Sequence, residues 1–174
     1  LNSTMKKNSG IVTFLGNPLT LLGEMITVGT KAPNFTAIGE GLKPVSLSDF
    51  AGKVVLISSV PSVDTGVCAA QTRRFNVEAA NLGDVVILTI SNDLPFALGR
   101  FCAAEGIDKV VTLSDHKDTD FGLKYGFLLE ELRLLNRGII VIDKNGIVQY
   151  VEYVKENTNH PDYDAALEAA KKLV

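Results

Sequence analysis

Apolar residues in this chain follow two rhythms. Residues 54–60 and 84–91 are near-continuous apolar runs of strand length, the pattern of strands covered on both faces. Between them, Val67, Cys68, Phe75, Ala79 and Leu82 fall near one face of a helix that Thr65 would cap and that runs to about Leu82. Strand, helix and strand over this length predict a right-handed βαβ unit with parallel strands.

The flanking segments extend the picture. Residues 11–25 alternate around Gly16-Asn17-Pro18, which predicts a β-hairpin. Residues 28–35 read as a loop that lays down an aromatic anchor, and 47–53 as a short helical turn ended by Gly52. A helix starting near Pro95 carries Leu98, Phe101 and Cys102 on one face. Residues 110–114 read as a short strand and 121–125 as a brief helix, while 128–135 fit helix or irregular structure equally well. Residues 138–142 and 147–154 flank Asp143-Lys144-Asn145-Gly146, a hairpin whose Asn-Gly pair supplies positive φ. Its second strand alternates, which places it near a sheet edge. Pro161 opens a last helix over 162–174, acidic early and with Lys171 and Lys172 late, as the helix dipole favours. This order of elements predicts an α/β fold with a mixed sheet.

Composition narrows the class. A length of 174 residues with 46% hydrophobic content suits one domain with a sizeable core. A net charge of −3, from 17 basic and 20 acidic residues, argues against nucleic-acid binding as the main role. No apolar run approaches the length needed to span a membrane. Lys6 and Lys7 precede an apolar stretch in signal-like order, but Gly16-Asn17-Pro18 breaks it and no small-residue cleavage site follows. The expectation is a cytoplasmic protein with a true start at Met5, residues 1–10 as a tail, and one domain over 11–174.

Two cysteines, Cys68 and Cys102, form no CxxC, and with His116 and His160 they give no zinc-site spacing. No metal or organic cofactor is indicated. A structural disulfide would be unusual in a reducing cytoplasm. Two unrelated core thiols, or a transient catalytic pair, are the readings left open by spacing alone.

Cys68 would sit at about the third helical position. There, unpaired backbone N–H groups and the positive end of the helix dipole stabilise thiolate, the nucleophilic form. A single Cys on an apolar helix face is otherwise an ordinary packing residue. What changes this is its company. Pro61, Thr65 and Cys68, in the spacing P-x-x-x-T-x-x-C after a buried strand, resemble the active-site signature of the peroxiredoxins. The longer run Pro-Ser-Val-Asp-Thr-Gly-Val-Cys-Ala-Ala, followed by Arg-Arg-Phe-Asn, is similar to the bacterial thiol peroxidase branch. The similarity runs from about Ile11 to the closing Pro161-Asp162-Tyr163.

That resemblance implies a thioredoxin-like fold: a mixed central sheet flanked by helices, with the 11–25 hairpin as an N-terminal addition. It implies a peroxidase acting on hydrogen peroxide and organic hydroperoxides. Cys68 would be the peroxidatic cysteine, passing through a sulfenic acid, and Cys102 the resolving one, closing a disulfide within one subunit. Thr65 would offer its hydroxyl to the sulfur or to a peroxide oxygen, and Pro61 would shape and shield the loop. Arg137, just before a strand, matches the arginine that the family sets beside the cysteine. Arg73 and Arg74 lie over a turn from Cys68 and read as solvated surface. Thioredoxin is the implied reductant and a homodimer the implied assembly. An alternative of another class is a peroxide-sensing protein that signals through Cys68 oxidation; the missing CxxC speaks against a disulfide reductase.

Overall fold

A computed structural model describes residues 5–174, so the expectation for Leu1 to Thr4 lies outside the described residues. The N-terminal hairpin forms from β1 (Lys7–Phe14) and β2 (Asn17–Leu22). The first strand begins at Lys7, so residues 7–10 are strand rather than tail, held by pairs such as Lys7 with Leu22 and Asn8 with Leu21. The ambiguous 128–135 stretch resolves into β8 (Leu128–Leu129), which pairs with β2, and a tight return that bridges Leu128 to Leu135. Val12, Leu19, Leu21 and Leu129 give this small sheet its own apolar core.

The main sheet has seven strands: β3 (Thr36–Ile38), β4 (Pro44–Ser46), β5 (Val54–Ser59), β6 (Val85–Ser91), β7 (Val111–Ser114), β9 (Gly138–Ile142) and β10 (Val148–Tyr153). Their order is β10-β9-β5-β6-β7-β3-β4, with β10 at an edge. β5, β6 and β7 are parallel, while β9, β10, β3 and β4 pair antiparallel, so the sheet is mixed. β3 and β4 have three residues each, too short for an alternation to register in the sequence.

The runs read as doubly covered strands divide their side chains by alternation. Val54, Leu56, Ile87, Ile139 and Val141 face one core, against Phe75 and Leu82 of α1 (Gly66–Leu82) and Ala166, Leu167 and Ala170 of α4 (Tyr163–Lys171). Phe101 and Cys102 of α2 (Pro95–Glu105) pack on that same side. Val55, Ile57, Leu88, Ile90, Ile140 and Ile142 face the other, where Phe35 meets Phe121 and Tyr125 of α3 (Asp120–Tyr125) edge-on, at 5.2 and 5.7 Å between ring centroids. Phe35 is the anchor expected of that loop. This layering is the thioredoxin-like plan, with the small sheet added at one end.

In the β9–β10 hairpin only Gly146 takes positive φ, at +80°. Asn145 does not share the positive φ expected of the Asn-Gly pair; the Gly146 N–H donates to the Asp143 carbonyl, and the Asp143 carboxylate accepts the N–H groups of Asn145 and Ile147. Glu156, just beyond β10, clamps the N-terminal hairpin by accepting from Thr13 Oγ1 at 2.8 Å and from the N–H of Gly16 at 2.8 Å. These bonds and those from Thr158, which contribute most, hold the Glu156 carboxyl well below the usual carboxylate range.

Candidate active site

β5 delivers the chain to Pro61, the loop 61–65 turns it, and α1 begins at Gly66 with Thr65 as its N-cap residue. Cys68 is therefore the third residue of the helix. The first intrahelical bond runs from Ala69 N to Thr65 O, at 2.9 Å. Thr65 makes no side-chain cap, and no acidic residue occupies the first turn. The first-turn amides around Cys68 are thus not taken by a capping side chain, the condition for receiving an anion.

The sulfur lies 3.2 Å from Nη2 of Arg137, which immediately precedes β9. β5 pairs with β9 through Ser59 and Gly138, and that register carries Arg137 to the C-terminal end of β5 where α1 starts. Both side chains are buried: Cys68 is 0% exposed and Arg137 2%. The guanidinium is held on every edge. Nη1 donates to Gln71 Oε1 at 2.9 Å and Nε to the Asn157 carbonyl at 2.9 Å. The Arg137 backbone N–H donates to Asn157 Oδ1 at 2.7 Å. Behind these, Gln71 donates to Ser58 Oγ at 2.7 Å, and Asn157 Nδ2 donates to Asn136 Oδ1 at 2.7 Å and to the Thr13 carbonyl at 3.1 Å.

No carboxylate among the described residues pairs with Arg137; its partners are the Gln71 and Asn157 oxygens and the Cys68 sulfur. A buried cation so placed is complementary to a thiolate and fixes the guanidinium fork in one orientation. Tyr163, on α4, lies in the same field: burial pushes its phenol up, the charges of Arg137 and Arg74 pull it down, and Cys68 pushes it up. Val60, Val63 and Leu98 close an apolar wall around Cys68, with Phe101 against it. Water is thereby kept from the sulfur, which strengthens the interaction with Arg137.

The residues singled out in sequence fare differently. Pro61 is buried at the head of the loop. Thr65 is exposed and its hydroxyl donates to the Ser62 carbonyl at 3.0 Å, so it makes neither a cap bond nor a bond to sulfur. Because its proton is committed there, its lone pairs face outward as acceptors. Arg73 pairs with Glu105, and Arg74 with Glu78 and Asp164, on the surface as expected.

Cys102 is not at the sulfur of Cys68. Both thiols are free. Cys102 Sγ sits 3.6 Å from Thr112 Oγ1 on β7 and opens onto a groove of about 770 Å³ between α2, β7 and residues 39–42. α2 presents Leu98 and Phe101 to Cys68 instead.

Gln71, Asn157 and Asn136 were not found from the sequence. Gln71 and Thr72 did leave a trace: they are polar residues on the buried stripe between Cys68 and Phe75, and both are 0% exposed. Asn157 left none, being an Asn in a polar loop.

Comparison with known proteins bears on the family and the fold. The family model described as Redoxin matches residues 27–167. The chain is 61% identical over 160 residues to a thiol peroxidase of Halalkalibacterium halodurans, covering 92% of this chain and 96% of the relative. It is 58% identical to the thiol peroxidase of Bacillus subtilis, covering 94% and 98%. Among solved structures, a peroxiredoxin-like protein from Aquifex aeolicus superposes with a TM-score of 0.89 at 36% identity, covering 98% of this chain and 99% of that one.

Proposed function

The chain belongs to the Redoxin family and is a peroxiredoxin of the thiol peroxidase kind, and on that premise we propose a two-cysteine mechanism in which Cys68 is oxidised by peroxide and Cys102 resolves it. The observation that carries this reading is the Cys68 sulfur at the first turn of α1, 3.2 Å from a buried guanidinium that pairs with no carboxylate among the described residues.

The Cys68 thiolate attacks one oxygen of a hydroperoxide. The S–O bond forms as the O–O bond breaks, and the electron pair leaves on the second oxygen, which takes a proton to give water or an alcohol. Negative charge develops on that leaving oxygen, and donors already in place for it lower the barrier. Arg137 Nη2 and the first-turn N–H groups are those donors. The Thr65 hydroxyl, with its own proton on Ser62, accepts the peroxide O–H and orients it. Pro61 offers no N–H and holds the loop against the site.

Cys68 is left as a sulfenic acid, which condenses with a thiol. The Cys102 sulfur attacks the Cys68 sulfur; S–S forms, S–O breaks and water leaves. Cys68 sits in an apolar wall and Cys102 faces β7, so both segments must shift before the sulfurs reach bonding geometry. An external dithiol, thioredoxin in this reading, reduces the disulfide by exchange through a mixed disulfide, in the cytoplasm.

Steady-state peroxide consumption with thioredoxin, its reductase and NADPH tests the scheme. Cys68→Ser is expected to be inactive. Cys102→Ser is expected to lose thioredoxin-supported turnover while keeping a single-turnover burst. Wild-type turnover by Cys68→Ser would end the proposal, and a burst without sustained turnover by the wild type would favour the sensor.

A further inference from the structure

The loop ahead of Cys68 is tied down by one side chain from elsewhere in the chain. Asp93 lies between the end of β6 and the start of α2, the helix that carries Cys102. Its Oδ1 accepts the Ser62 hydroxyl at 2.7 Å and its Oδ2 accepts the Val63 N–H at 2.8 Å. Oδ2 also accepts the Ser91 hydroxyl at 2.8 Å, which fixes the carboxylate on the end of the sheet. Ser62 and Val63 belong to the stretch between Pro61 and Thr65, and Val63 is a wall residue of the Cys68 pocket. The Ser62 carbonyl is also where Thr65 places its proton.

We propose that Asp93 is a positioning residue that fastens the Cys68 loop to the foot of the Cys102 helix and so sets how readily that loop leaves the site for disulfide closure. This rests on the two-cysteine reading given above. Peroxide attack needs the loop in place, with Val63 walling the sulfur and Thr65 oriented through Ser62. Closure needs Cys68 out of that wall. The bonds from Ser62 and Val63 exist only in the first arrangement, so their strength weighs on the equilibrium between the two. They are charge-assisted, the stronger kind of hydrogen bond. The fastening acts on both cysteines at once, because the same residue sits two positions before Pro95, where the Cys102 helix begins.

The carboxylate accepts on both oxygens, whereas an amide accepts on one only. Asp93→Asn therefore loses part of the fastening, and Ser62→Ala loses the Oδ1 bond while keeping the Val63 bond. Loosening the loop by one charge-assisted bond raises the open population about tenfold. Where the closed form remains the major one, the peroxide step barely changes while closure accelerates.

The experiment is rapid mixing of the reduced full-length protein with hydrogen peroxide, following sulfenic acid and disulfide separately by quenched-flow mass spectrometry. In Asp93→Asn, closure is expected to run about tenfold faster, with the peroxide step within about twofold of wild type and a matching fall in sulfinic acid at high peroxide. Ser62→Ala is expected to change in the same direction by less. Faster hydrogen exchange at the Val63 amide shows the loop loosened. A merely destabilised fold would not accelerate one step while sparing the other. Closure at the wild-type rate in both variants, with the Val63 amide exposed, overturns the role of Asp93 and leaves the mechanism standing. If the wild type itself forms no disulfide, the two-cysteine reading fails.

Discussion

The Arg137 guanidinium meets the Cys68 sulfur at 3.2 Å across 69 residues of sequence, inside a shell of neutral hydrogen-bond acceptors. A buried arginine without a carboxylate is costly unless something else supplies the negative charge. In the proposed mechanism that group is the Cys68 thiolate, 3.2 Å from Nη2, and the pair then serves the reaction rather than the fold. Arg137→Met is expected to slow Cys68 oxidation by about 100-fold or more, the cost of one preorganised donor at a developing oxyanion. Arg137→Lys restores the charge but not the fork that holds Gln71 and Asn157 together, so it is expected to recover only part of the rate. Single-turnover oxidation in a Cys102→Ser background measures both. A rate for Arg137→Met within twofold of its parent would remove Arg137 from the chemistry.

Gly138 tests the bed on which Arg137 lies. A Cβ at this position would press into the Glu152 carbonyl oxygen and the Phe127 ring, and neither can yield without moving β10 or the second core. Gly138→Ala is expected to destabilise the fold by about 1–3 kcal/mol, the cost of overpacking. Since Gly138 follows Arg137 directly, the variant is also expected to lose peroxide reactivity at temperatures where it remains folded. Urea unfolding read beside the single-turnover rate separates the two effects. Full activity in the folded variant would show that Arg137 tolerates movement of the strand it leads.

Asp115 gives the fold a pH dependence. Its carboxyl is 2% exposed, and burial pushes it up to about 6, although the N–H groups of Phe121 and Gly122 pull the other way. A carboxyl raised in the folded state is favoured there when protonated. Its contribution is therefore fully present below the unfolded value near 3.8 and is lost as pH rises through about 6. Wild type compared with Asp115→Asn is expected to lose relative stability between those limits, by roughly 3 kcal/mol in total. Urea titrations at several pH values measure the difference. A difference independent of pH would mean that Asp115 titrates alike in the folded and unfolded chains.

The sequence was most informative where one physical requirement dominated. Doubly covered strands left near-continuous apolar runs, and the helix after β5 announced both its start at Thr65 and its third residue, Cys68. Arg137 was reached only through resemblance, because the register that carries it to Cys68 is a property of the sheet. Thr65 was credited with a cap and with a hydroxyl offered to the sulfur or to a peroxide oxygen; the hydroxyl donates to Ser62 O and makes neither the cap nor the bond to sulfur, a choice among near acceptors that spacing does not decide. Asn157 stayed silent because a polar residue in a polar loop carries no periodic mark, and Asn136 because its partner Asn157 lies 21 residues away. The short strands β3 and β4 were silent for a similar reason, their pairing with the sheet being set by distant partners.

Asn157 reaches back to Thr13 across 144 residues, so the bed of the reactive arginine includes groups from near both ends of the chain. Synthesis supplies those groups in order, the N-terminal ones first. While the chain is emerging, Cys68 exists before the segment that would bring a cation to it. Under the proposed mechanism, its peroxide reactivity then depends on completion of the fold, since an unfinished polypeptide lacks the Arg137 guanidinium beside the sulfur. On the same reading, reactivity toward peroxide reports refolding, because it requires the Asn157 and Thr13 segments to have docked.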